Sequence, residues 1–177
     1  MPAFARTKLV MYDNCFEENP GEIYLKYVGP NPGKLYHSVY NLIKSIWRCA
    51  DGDIQEEQYN WGKKGEADKF KIRWYMHKDL DKFTYYWIRF DLSGEGDDKE
   101  GKASVKFKPV LMTEYPQDTV WQKSLFYEMM RTMWHSVFYK EKRRNYLENC
   151  RDLTSLFTKK AKEFFEDLMK GIQEENG

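Results

Sequence analysis

The sequence predicts one α+β domain over residues 1–177, in which an antiparallel β-meander is closed by long C-terminal helices. Three observations predict it. Between residues 68 and 93 apolar and polar side chains alternate, the period-2 pattern of strands with one buried face. The connections in that region are short and polar or glycine-rich, too short for the helical crossovers that parallel strands need. After Pro116 the apolar residues recur every fourth position, as on one face of a helix.

Taken along the chain, Glu22 to Val28 alternates Ile23, Leu25 and Tyr27 with Tyr24 and Lys26, and reads as a strand. Lys8 to Asp13 is expected to pair with it. GPNPGK breaks the strand, and from Gly33 onward Leu35, Val39, Leu42, Ile43 and Ile46 share a helical face, with Asn31 as cap and Pro32 in the first turn. ADGD at 50–53 ends the helix. Four strands then follow at about 53–62, 68–77, 83–93 and 101–114. Phe70, Ile72, Trp74 and Met76 share one face of the second, and Tyr86, Ile88, Phe90 and Leu92 one face of the third. Past Pro116, Asp118 or Thr119 is the expected cap of a helix carrying Trp121, Leu125, Met129, Met133 and Val137. That stripe needs cover, either from the sheet or from another chain. A further stripe runs through Tyr146, Cys150, Leu153, Phe157, Phe164 and Leu168, and the charged run KEKRR at 140–144 lies on a solvated bend between two helices, the preferred reading, or on the polar side of one continuous helix.

Composition narrows the function classes. With 41% hydrophobic residues the 177-residue chain can bury a core without metal or disulfides. The 29 Lys and Arg nearly balance the 28 Asp and Glu, so no global field draws in nucleic acid or an anionic membrane. Cys15, Cys49 and Cys150 are odd in number, widely spaced and without a CxxC pair. They read as free thiols in a reducing compartment, and no apolar run has the length of a signal peptide or membrane span, so a cytoplasmic protein is expected.

Motifs with a defined chemistry fail on their spacing. Gly29 to Lys34 is one residue short of a phosphate-binding P-loop, and Leu35 stands where a magnesium-binding hydroxyl belongs. His37, His77 and His135 are scattered, and the acidic stretch from Asp91 to Glu100 lacks the ligand order of a calcium loop. No nucleophile elbow or Cys/His catalytic pattern is present.

The order of elements resembles the START-like, or helix-grip, superfamily, which includes polyketide cyclases and coenzyme Q-binding proteins. The likeness spans roughly residues 22–172: EIYLKYVGPNPGKLYHSVYNLIKSIW looks like the opening strand and helix, and LTSLFTKKAKEFFEDLM like the closing helix. The chain departs in showing four clear central strands where six are usual, and in the extra stripe over 118–139. The resemblance implies a hydrophobic ligand held between a curved sheet and the last helix. Trp74, Met76, Tyr86 and Phe90, with Phe107, Phe157 and Phe164, are the residues that would line that cavity.

Binding of a hydrophobic or aromatic small molecule is therefore the leading expectation, suited to a chain that is 17% aromatic. A second is single-stranded nucleic-acid binding on the outer sheet face, where Lys69, Lys71, Arg73, Tyr75, Tyr85, Trp87, Arg89, Lys106 and Lys108 interleave cations with rings. A third is a structural or oligomerising role, such as a homodimer, through the Met- and Trp-rich helix near 121–138.

Overall fold

A computed structural model describes residues 10–16, 21–65 and 67–175. Strands β1 (Val10–Asn14), β2 (Ile23–Val28), β3 (Ile54–Lys64), β4 (Ala67–Asp79), β5 (Thr84–Gly96) and β6 (Gly101–Glu114) form one antiparallel sheet. Helix α1 (Leu35–Trp47) and a long C-terminal helix complete the α+β architecture that the sequence predicts. The four-strand meander is placed to within two or three residues, because period-2 alternation is hard to misread where one face is buried. Ile72, Ile88 and Phe90 are buried while Lys71 is exposed, the expected register.

The N-terminal strand pairs differently from expectation. β1 does not join β2; both lie on the same edge of β6, β2 opposite 102–107 and β1 opposite 110–114. They act as one edge strand with an insertion. The break falls opposite Lys108 and Pro109, where proline has no N–H to give a ladder, and the Pro109 carbonyl accepts from the Cys15 amide at 3.1 Å. Residues 8 and 9, and the leaderless N-terminus expected from the sequence, lie outside the described residues.

GPNPGK serves as a clamp on the β5–β6 hairpin. The Asn31 amide donates to the Asp97 carbonyl at 2.9 Å and the Gly29 amide to that of Gly101 at 3.0 Å. A Cβ on Gly96 or Gly101 would meet the backbone opposite and the Pro32 ring, so glycine is required on both sides of this contact. Asn31 is not a side-chain cap: it sits in the left-handed region at φ 49 and its amide reaches the Asp98 carbonyl. Pro32 does open the turn that leads into α1.

The C-terminal helix also departs from expectation. KEKRR does not make a bend, because α2 (Leu125–Trp134), a π-helical segment His135–Tyr139 and α3 (Lys140–Glu175) follow one another without leaving helical geometry. Ser124, rather than Asp118 or Thr119, caps α2, accepting from the Tyr127 amide at 3.2 Å. From Leu125 to Glu175 such a helix is about 75 Å long. The longest strand, β6 with 14 residues, spans roughly 46 Å. The helix must overrun the sheet at one end, although none of its described length is apolar enough to cross a membrane.

Two cysteines overturn the free-thiol reading. Cys15 and Cys150 are joined in a disulfide with Cα atoms 5.8 Å apart, and only Cys49 is free. Sequence reasoning could not pair them, because 135 residues separate them and the edge-strand insertion alone brings Cys15 beneath α3. Closing so long a loop stabilises the fold by about 5 kcal/mol in the chain-entropy account. The denatured, unreduced protein is therefore expected to show one titratable thiol with a thiol reagent, and Cys15→Ser to lower the thermal midpoint by many degrees. Three thiols, or an unchanged midpoint, would contradict the bond.

Candidate functional site

The residues expected to line a cavity instead fill the layer between sheet and helices. Phe90 and Phe107 stack at 5.5 Å on the sheet, and Phe157 of α3 packs on them at 5.4 and 4.9 Å. Trp47, from the end of α1, closes the group at 5.3 Å from Phe157. Trp74 lies beneath α1 rather than α3: Tyr36 and Tyr40 cover it, and its indole N–H donates to Glu56 at 3.0 Å. Met76 is fully buried in the same layer, and Phe164 is only partly buried; its neighbour Phe165 takes the inward position, 5.4 Å from Tyr27.

An opening exists at one end of this layer, where α1 and α3 diverge above the β4–β5 hairpin. It is a cleft of about 560 Å3, and of the seven expected residues only Tyr86 borders it. Leu42 and Ile46 of α1 form one wall, Leu153 and Leu156 of α3 the other, with Leu80 and Tyr86 at the base. Arg48, Lys78 and Lys160 bring three cations to its margins. Trp47 also lines it, and its buried indole nitrogen has no hydrogen-bond partner. These residues escaped sequence reading because they sit on the flanks of their helices, away from the inward row. Three of them, Leu42, Ile46 and Leu153, belong to the apolar stripes; nothing in a one-dimensional pattern says that the helices part there.

The polar groups around the cleft are held in place. The Asn149 amide donates to the Tyr86 hydroxyl at 3.0 Å, which donates to the Tyr146 carbonyl at 3.0 Å. Burial raises the Tyr86 phenol, against the lowering effect of Asn149, so it stays neutral. Lys78 donates to the Arg48 carbonyl at 3.0 Å and faces Asp53 at 3.6 Å; Lys160 meets Glu163 at 2.8 Å. Arg48 has no carboxylate within ion-pairing distance among the described residues. It ends α1 at φ 51, a left-handed position where glycine is usual. Cys49 beside it is no nucleophile at neutral pH, since burial pushes its thiol up to about 11.

The outer sheet face carries the expected cations and rings, with Tyr75 and Trp87 stacked at 5.3 Å. Four of its six expected cations are already matched. Arg73 pairs with Asp91 and Glu57, Arg89 with Asp91 and Glu22, Lys106 with Glu22, and Lys69 with Glu95. A phosphate chain would have to displace these carboxylates, which reduces the counterion release that drives such binding. The sequence already held these acids; their register across strands was the missing information.

At the same end, Asp81 of the β4–β5 hairpin gathers a polar cluster under the π segment. It accepts from the amides of Phe83 and Thr84, from the hydroxyls of Tyr139 and Tyr146, and from Lys142. Burial pushes the Asp81 carboxyl up, yet these donors outweigh it and hold it at about 2. Arg143 extends the cluster to Thr113 and Asp13. Arg131, almost fully buried, lies over the Tyr115 and Tyr127 rings.

The apolar stripe of α2 is not covered by the sheet. Leu125, Met129 and Met133 are 61, 62 and 52% exposed, so of the two covers expected, the sheet and another chain, the sheet is ruled out.

Comparison of the chain with protein-family models, with curated proteins and with solved structures finds no match. The geometry alone carries the argument.

Asp81 provides a pH test. Its folded-state carboxyl is depressed below the ordinary value near 4, so its stabilisation is complete above that value and is lost as pH falls through about 2. Asp81→Asn should cost about 2 to 3 kcal/mol in urea melts at pH 7, with the gap to the wild type closing between pH 4 and 2. A gap that is absent at pH 7 would show that the cluster does not support the fold.

Proposed function

We propose that the chain binds an amphipathic small molecule, with a hydrophobic or aromatic body and an anionic head, in the cleft between α1 and α3. The observation that carries this reading is the make-up of the cleft: apolar walls from two helices leading to cations and an unpartnered indole N–H. Its volume of about 560 Å3 falls in the range of small-molecule sites. Arg48, which among the described residues has no matching acid, favours a carboxylate, sulfonate or phosphate head. The START-like resemblance supports the same class of ligand, since there too the ligand lies between sheet and last helix. The cleft shifts that position to the end of the helix layer, where the aromatic rings stop.

A cytoplasmic setting is part of the proposal. It now requires that the Cys15–Cys150 bond survive a reducing pool; both sulfurs belong to residues that are 0% exposed, which shields them from attack by a thiolate.

Arg48→Gly tests the site without weakening the fold, because glycine is at ease at φ 51. Titration calorimetry with dodecanoate is expected to show binding to the wild type and a loss of at least tenfold in affinity for Arg48→Gly. Dodecanol should bind both proteins alike. Failure of the wild type to take up dodecanoate at millimolar concentration, or equal affinity in the two proteins, would overturn the proposal.

A further inference from the structure

From Leu125 to Phe138 the C-terminal helix is built inside out. Its inward positions are Tyr127, Arg131 and His135, polar or charged at their tips; Arg131 and His135 lie against Tyr115, and Arg131 also over the Tyr127 ring. Its outward positions are Leu, Phe, Met, Trp and Val side chains, each between 44 and 65% exposed. A solvated helix has the reverse arrangement, with the apolar stripe inward. Between Lys123 and Lys140 the outer face carries no cation, since Arg131 points inward.

We infer that this face is the interface of a homodimer, in which α2 pairs antiparallel with α2 of a second copy about a two-fold axis near residues 131 and 132. Two features select that occupant.

The first is the symmetry of the pattern. The apolar positions fall in adjacent pairs at 125–126, 129–130, 133–134 and 137–138. Read backwards, about a midpoint between 131 and 132, the set superimposes on itself: Met130 meets Met133 of a second copy, Met129 meets Trp134, and Leu125 meets Phe138. An isologous contact requires such self-complementarity, in which residue i meets j and j meets i. A partner of different sequence would not.

The second is area. The exposed parts of these side chains, with Val120 and Trp121 beyond them, come to on the order of 1,000 Å2 per chain, against about 800 Å2 per partner for a stable interface. Met and aromatic residues are the types enriched in such contacts. A helix lying on a membrane surface would instead turn a Lys- and Arg-rich face to water, whereas here the opposite face packs on its own domain.

Sedimentation velocity between 1 and 100 µM tests this, with Met130→Glu as the disrupting variant, since Met130 is 44% exposed and lies outside the hydrophobic core. The wild type should sediment as a dimer, and Met130→Glu as a monomer with an unchanged circular-dichroism spectrum. Orientation is read by cysteine cross-linking. Met133→Cys, on the contact face beside the axis, should give a covalent dimer on oxidation, and Gln122→Cys, far from it, should not. A monomeric wild type at 100 µM overturns the inference, as does a monomer that co-sediments with phosphatidylcholine vesicles. A dimer indifferent to Met130→Glu, or one cross-linked by Gln122→Cys alone, overturns it too. None of these outcomes bears on dodecanoate binding in the cleft.

Discussion

The seating of Phe157 on the sheet is the contact on which the rest of the structure depends. A helix far longer than the strands can lie across them in many registers, and the one adopted is fixed where the Phe157 ring enters the nest of Phe90, Phe107 and Trp47. Packed interiors tolerate few voids, so a slip of one turn would leave a hole at this point and force Ala161 or Thr154 into it. With Phe157 in place, Cys150 falls about two turns earlier, over the edge-strand insertion, and can reach Cys15. The same choice sends residues 125–138 toward the far end of the sheet, where the apolar face of α2 meets no strand. Bond, cleft and exposed stripe are three consequences of one register.

The π segment resolves a conflict within that helix. Upstream, the inward residues Tyr127, Arg131, His135 and Tyr139 are spaced by four. On an α-helix of 3.6 residues per turn such a row drifts by about 40° at every step. Downstream, Arg143, Tyr146, Cys150, Thr154 and Phe157 mix steps of three and four and hold a steady direction. The wider turn over His135–Tyr139 takes out the drift, so that Tyr139 can reach Asp81 while Arg131 still faces Tyr115. Asp81 rewards the arrangement by bonding both sides of the junction, Tyr139 in the π segment and Tyr146 in α3.

These two mechanisms explain which features could be read from the sequence. The strands were legible because their side-chain period is two, and a slip of one residue would turn every buried side chain outward. The inward row of the last helix was legible for a similar reason, from Tyr146 through Phe157. What could not be read depends on where one element lies on another. The disulfide needs β1 on the edge of β6; the cleft needs α1 and α3 to part beside Tyr86; the ion pairs of the outer face need Arg73 directly across from Asp91. Asn31 was misassigned because its usual role as a cap is local, whereas its actual partner, Asp98, lies 67 positions away.

The aromatic content takes on a different meaning once these placements are known. Rings that suggest a cavity in one dimension can equally remove it in three, and here Phe90, Phe107, Phe157 and Trp47 do so by tilted and stacked contacts near 5 Å, favourable geometry for aromatic pairs. The space for a ligand is then left only where the rings end and Leu, Ile and cationic side chains take over. Likewise the aromatics and methionines of α2 would serve no packing purpose within one chain, since their inward neighbours are polar. Residues of one chemical type thus divide into a sealed interior layer and an unsealed outer face, and it is the second group, costly to leave in water, that calls for a partner.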